Sequence, residues 1–291
     1  MKTINDNRLK VMTRGVTLML SLLFILAPVN AQKKSAKYYL SLRKLPAGLA
    51  LKEPRPYSYV MTADYYNHDI LGNFLNKMEV RGIYTRGLPD KKVRWNDVTI
   101  SHQKDLNEPF PEGTKQDYME GMTYGPSDDY LNLEAFKKFP PITGIFARNL
   151  VWDVLAFEGL GWTYYDSLRL NVPFSAKSIN GKLDLDSLGS FENKDIKLTW
   201  TGISTMNNKV CAVIEFITMN NPLEMKTDLM QMKGRSNYWG TIWLSLTDKQ
   251  IEYGILWEDV NMDIKINGQD KSQLTNTSRK IEFKRVPLPR F

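Results

Sequence analysis

Few of the residues that could do chemistry stand in patterns that chemistry requires. The chain has two histidines, His68 and His102, and one cysteine, Cys211. A structural or catalytic zinc site needs three or four such ligands at close quarters. These three are scattered, and neither histidine belongs to a spaced motif such as H-E-x-x-H. His68 sits in Asn67-His68-Asp69, which reads as a turn, and His102 ends a candidate strand. Cys211 lies within Val210-Cys211-Ala212-Val213-Ile214 and reads as a small buried hydrophobe. The G-x-S-x-G elbow and the phosphate-binding G-x-x-x-x-G-K-[ST] loop are both missing. Ser187 and Ser190 bracket Leu188-Gly189 in what reads as a turn. Asp184-Leu185-Asp186 starts like a calcium loop but lacks the required glycine and terminal glutamate. The sequence therefore implies no cofactor and no metal. Glycoside hydrolysis would need a pair of carboxylates, which could be drawn from Glu158, Glu215, Glu252 or Glu258. Glu215 interrupts an apolar run, so it must find a partner if buried or else turn to solvent.

The indoles are more informative. Seven Trp and fourteen Tyr suit a β-rich protein, or one that binds a flat or apolar partner. The segment Asn237 to Ile264 reads as a hairpin around a two-residue Asp248-Lys249 turn. That register places Leu246, Leu244, Ile242 and Gly240 opposite Ile251, Tyr253, Ile255 and Trp257 on a core-facing side. Trp243 then faces Gly254 and Trp239 faces Glu258 on the other side, so that Trp243 and Trp257 each cover a glycine. Trp152, Trp239, Trp243, Trp257 and Tyr253 are the candidate ligand-binding residues.

The elements that must position them are mostly strands. Tyr57 to Tyr66, Lys77 to Tyr84 and Val93 to Ile100 predict an N-terminal meander. Residues 103–145 hold clustered Pro, Gly and acids. They predict an irregular insertion with a short helix from Asp129 to Lys138, capped by Asp128 and stopped by Pro140-Pro141. Asn149 to Gly159 carries a helical apolar face of Leu150, Val151, Val154, Leu155 and Phe157, widened by Trp152. Beyond Tyr164, turn signals recur at Asn180-Gly181, Asn207-Asn208, Asn220-Asn221-Pro222, Asp248-Lys249 and Asn267-Gly268. Val210 to Ile217 is nearly continuous apolar and predicts a strand covered on both faces. The expected fold is mainly β: a large antiparallel curved sheet, open and half-barrel-like, with one or two helices and an irregular insertion.

The first 31 residues read as a cleavable export signal. Lys2, Arg8, Lys10 and Arg14 precede an apolar run from Val16 to Ala27, then Pro28 and Val29-Asn30-Ala31. The run is short for a membrane span, which needs about 20 apolar residues. The expected location is periplasmic or secreted, with no integral membrane segment. Of the net charge of +7, the leader supplies +3, leaving +4 spread among acids. That is not the concentrated basic face of a nucleic-acid binder. A single cysteine also excludes an internal disulfide. The expected organisation is a signal at 1–31, an entry segment at 32–56, and one β-rich domain at 57–291 with its insertion at 103–160.

The C-terminal half, residues 164–286, resembles the open half-barrel proteins that carry lipids or lipoproteins across the bacterial periplasm. It shares long antiparallel hairpins, a helix before the later strands and indole-rich faces. The leader with Ala31-Gln32 is similar to those of secreted Bacteroidota proteins. The resemblance implies a lipid, acyl chain or other apolar small molecule held against the curved sheet without catalysis. Two alternatives stand beside it. One is a structural module of the cell envelope that binds a protein or glycan through exposed aromatics. The other is a carboxylate-dependent hydrolase.

Overall fold

The computed structural model describes residues 35–126, 134–140, 144–185 and 189–286. Residues 1–34, Asp128 and the first half of the expected 129–138 helix lie outside the described residues, as do Pro141, Asp186 and Ser187; the second half, Glu134–Lys138, is a 3-10 helix. Residues from Ala36 onward form one compact unit.

The unit is mainly β, as its sequence predicts. Its strands are β1 (Tyr57–Asp69), β2 (Phe74–Arg86), β3 (Val93–Gln103), β4 (Thr114–Lys115), β5 (Thr123–Tyr124), β6 (Phe174–Ser175) and β7 (Gly181–Asp184). They continue with β8 (Gly189–Asn193), β9 (Lys197–Met206), β10 (Lys209–Lys226), β11 (Met230–Ser245), β12 (Ile251–Ile266) and β13 (Ser272–Val286). All join one antiparallel sheet that does not close into a barrel. Its spine runs β4-β3-β2-β1-β13-β12-β11-β10-β8-β7, and β9 also pairs with β10. The last strand thus closes against the first, so the N-terminal meander and the C-terminal hairpins are one sheet.

Helix α1 (Ala36–Ser41) belongs to the entry segment. Helix α2 (Gly144–Glu158) lies across the sheet. Ala147, Leu150, Val151, Val154 and Phe157 recur at helical spacing and are all buried. The helix begins five residues earlier than the sequence suggests. Gly144 permits this, because a side-chain carbon there would lie 2.7 Å from Phe139.

The face under α2 is the inner face of the sheet. Tyr59 stacks on Phe283 at 4.2 Å, and Phe157 of α2 stacks on the same ring at 5.5 Å. Trp95, Tyr84, Phe216 and Trp200 complete a dense core. The helix therefore occupies the part of that face formed by β1, β2 and β13, where the half-barrel resemblance implies a ligand.

Three expectations need correction. Asn67, His68 and Asp69 belong to β1 rather than to a turn; the turn follows, where Asp69 accepts hydrogen bonds from the backbone N–H groups of Leu71 and Asn73. Asn220-Asn221-Pro222 is a bulge inside β10 rather than a strand break. Asn221 is buried there and donates to the Ser236 carbonyl, so its side chain fills in for the interrupted ladder. Val210 to Ile217 is covered on both faces only at its start, where Cys211 and Ala212 are both buried; Glu215 and Ile217 are exposed.

The hairpin register also differs. Leu244 faces Ile251, but Trp243 faces Tyr253, Ile242 faces Gly254 and Trp239 faces Trp257, with a bulge between these registers. The connection is a longer loop, in which the Lys249 N–H donates to the Ser245 carbonyl and Lys249 takes a φ of 59°. Ile251 and Glu252 are both buried in succession. The extra residue moves Tyr253, Ile255 and Trp257 to the outer face and turns Gly254 inward.

Gly254 is needed where it now points: a side-chain carbon there would lie 2.6 Å from the Phe157 ring. Gly254→Ala is expected to lower stability by about 1–3 kcal/mol through overpacking. In urea unfolding, Phe157→Leu should lose less in the Gly254→Ala background than in the wild type. Equal losses would mean that the two side chains do not compete for that space.

Candidate functional site

The inner face carries charges as well as rings, and each is paired. Arg279 on β13 meets Asp153 of α2 at 2.5 Å, and also pairs with Glu258 of β12. Its guanidinium lies over the Tyr65 ring. Arg86 on β2 meets Glu158 at the end of α2 at 2.5 Å and Glu53 of the entry segment at 2.6 Å, while the Tyr84 hydroxyl donates to Glu158. Glu252 pairs with Arg285 and, at 2.8 Å, with Lys209, which also holds Asp248 at 2.5 Å. Three of the four carboxylates considered for hydrolysis are thus bound in three separate ion clusters. Glu215, the fourth, is exposed on the opposite face. No pair of them shares a cleft.

The metal candidates are also separated. His68 is on β1, His102 on β3 and Cys211 on β10, with β13, β12 and β11 between β1 and β10. Among the described residues no group of three His, Cys, Asp or Glu could hold a metal ion. Burial pushes the Cys211 thiol up to about 12, so it stays protonated and unreactive.

The outer face is different. On β11 and β12 its side chains form a two-strand column of cross-strand pairs: Trp243 with Tyr253, Thr241 with Ile255, Trp239 with Trp257, Asn237 with Asp259, Arg235 with Asn261, and Lys233 with Asp263. Trp239 and Trp257 are 41% and 40% exposed. Trp243 and Tyr253 touch at 5.2 Å between ring centroids. The two aromatic pairs stand four residues apart, about 13 Å along an extended strand. Ile217 extends the Trp239–Trp257 row on one side and Lys280 on the other, the latter 5.8 Å from the Trp257 ring.

Next along the strands the column becomes polar. Ser278 and Asn276 of β13 donate to Asp259, and the Asn237 amide oxygen accepts from the Asn220 N–H. Beyond them a groove of about 330 Å³ crosses the strands, lined by polar Asn237, Asn261, Lys233 and Asp263 and by apolar Ile70 and Leu274 among others. No described segment covers the Trp239–Trp257 pair.

Of the five aromatic residues singled out from sequence, the fold brings Trp239, Trp243, Trp257 and Tyr253 together on this outer face. Trp152 lies elsewhere, on α2, half-buried with its ring edge-on to Phe136 at 6.4 Å. The polar half of the column was not anticipated. Its only mark in the sequence is alternation: Lys233, Arg235 and Asn237 on one strand, Asp259, Asn261 and Asp263 on the next.

No known family and no curated protein matches this chain. Among solved structures, the botulinum neurotoxin serotype C1 binding domain aligns over 81% of this chain and 84% of that one, at 8% identity and a TM-score of 0.13. A botulinum neurotoxin type C structure, described for interaction with two ganglioside molecules, aligns with the same score and identity over 81% and 83%. Such scores carry no argument about this chain.

Two expected outcomes follow from the ion clusters. Arg279→Met leaves Asp153 and Glu258 buried without their cation and should cost about 3–5 kcal/mol in urea unfolding. Burial raises the Asp153 carboxyl from 3.8 to about 6, against the opposing pull of Arg279. The folded chain then holds this proton more tightly than the unfolded chain does. The resulting stabilisation is full below about pH 4 and is lost as pH rises through 6. Relative to Asp153→Asn, the wild type should therefore lose about 2–3 kcal/mol between pH 4 and 7. A constant difference across that range would contradict the assignment.

Proposed function

We propose that this protein is a non-catalytic binding module that acts outside the cytoplasm and recognises an extended carbohydrate along the outer face of β11 and β12. The observation that carries this reading is the exposed cross-strand pair of Trp239 and Trp257. Two indoles, 41% and 40% exposed, stand side by side on a sheet whose Trp95 and Trp200 are fully buried. An indole presents a flat apolar surface on which the C–H face of a sugar ring can pack. The amides, carboxylates and cations of the adjoining groove offer the donors and acceptors that sugar hydroxyls need. Two aromatic pairs stacked along the strands, with a groove at their end, suit a polymer lying along the strands rather than a compact ligand. The leader at 1–31 supports action outside the cytoplasm.

An apolar ligand held against the inner face has less support, because Phe157, Phe283 and Tyr59 already occupy it. Hydrolysis has less support still, since the acids it would use are neutralised by arginines or stand alone.

Affinity electrophoresis through gels containing neutral or acidic polysaccharides tests the proposal. At least one polysaccharide should retard the wild type. Trp239→Ala and Trp257→Ala should each weaken retardation about tenfold or more, on the scale of a lost aromatic hot spot. Because both rings are part-exposed, each variant should unfold within about 1 kcal/mol of the wild type. Absence of retardation by the whole panel, or a double variant that binds like the wild type, would refute it.

A further inference from the structure

The antiparallel order brings several connections to one end of the sheet: β1–β2, β3–β4, β7–β8, β10–β11 and β12–β13. Connections in water are ordinarily polar at their tips. Two of these are not. The β1–β2 tip exposes Ile70 at 58% and Leu71 at 83%, and the β10–β11 tip exposes Leu229 at 54%. Leu106, in the β3–β4 connection, is also exposed at this end. The tips are well built: Asp69 ties down the first through Leu71 and Asn73, and Thr227 and Asn267 tie down the second. The apolar side chains therefore project from ordered turns.

The strands leading away from these tips are two-faced. On the inner face, past the reach of α2, Met225, Met232 and Ile264 form one cross-strand row, with Met230 and Ile266 beyond it; all are half-buried. At the same height the outer face bears Lys233, Arg235 and Asp263. Unbranched methionines adapt to an irregular apolar surface.

We propose that this end of the sheet docks on a lipid surface, with Leu71 and Leu229 inserted among the acyl chains. Ile70 lines the outer-face groove, but Leu71 and Leu229 stand outside it on separate projecting turns. Separate apolar points suit a fluid bilayer, which closes around each one. The methionine-bearing inner face would follow the tips into the interfacial layer, and the charged outer face would stay in the headgroup region. Exposed Lys226, Lys265 and Lys271 stand beside exposed Asp228 and Asp270. With charge of both signs at this end, insertion rather than charge attraction drives docking.

The test is flotation of the chain from Gln32 onward, which contains the whole compact unit, with phosphatidylcholine vesicles. The wild type should float with the vesicles and keep doing so between about 0.1 and 1 M salt. The Leu71→Asp/Leu229→Asp double variant should partition at least about tenfold less, since one leucine transferred from water shifts partitioning by that order. Leu71→Ser alone should give a partial loss, and near-ultraviolet circular dichroism should be unchanged in both. Polysaccharide retardation should be unaffected, so this proposal and the carbohydrate reading can fail separately. Wild-type protein that stays below the vesicles, salt that abolishes flotation, or a double variant that floats like the wild type would each overturn it.

Discussion

The placement of Glu252 determines what each face of the sheet carries. It is buried, and Arg285, Lys209 and Asn207 hold its carboxylate. A buried carboxylate without such partners would be expelled to solvent, because its desolvation costs several kcal/mol. Held inward directly after the buried Ile251, it forces an extra residue into β12 and reverses the facing of every residue beyond. Gly254 then meets Phe157, which lets α2 settle on the sheet. Trp257 meets Trp239, which creates the aromatic column. One ion cluster thus specifies both the closed inner face and the open outer one.

The other two clusters repeat the device at the helix. Asp153 and Glu158 stand five residues apart on α2, and each finds an arginine on a different strand, Arg279 on β13 and Arg86 on β2. Apolar packing alone would let a helix slide on a sheet of similar side chains. Paired charges fix it at one position, at a cost in desolvation that burial of the aromatic core offsets. With the helix locked in this way, the outer surface and the projecting turns are what the fold leaves exposed.

Much of the fold was legible in local residue order. Asn207-Asn208 turns between β9 and β10 with both residues at positive φ, and Asn267-Gly268 turns between β12 and β13, as such residues should. The apolar period of α2 gave Leu150, Val151, Val154 and Phe157 of its face, while Leu155 is only half-buried and Asp153 and Glu158 are buried instead. What local order could not reveal were the bulges, those in β10 and β12 above all. The one in β10 depends on Asn221 bonding to the Ser236 carbonyl, and the one in β12 on Arg285, which is 33 residues away from Glu252. A period-two reading assumes that each residue turns opposite to its neighbour. It fails where a distant charge pulls two successive side chains to one side. The same slip hid the Trp239–Trp257 pair, because uninterrupted alternation sends Trp257 to the core.

Residue-resolved hydroxyl-radical footprinting of Trp239 and Trp257 tests the two-faced account most directly, with Trp95 and Trp200 as buried internal references. Both outer indoles should oxidise readily in the free protein, and a retarding polysaccharide should protect them while leaving the references unchanged. Outer indoles as inert as Trp95 in the free protein, or equally reactive with and without bound polysaccharide, would contradict it.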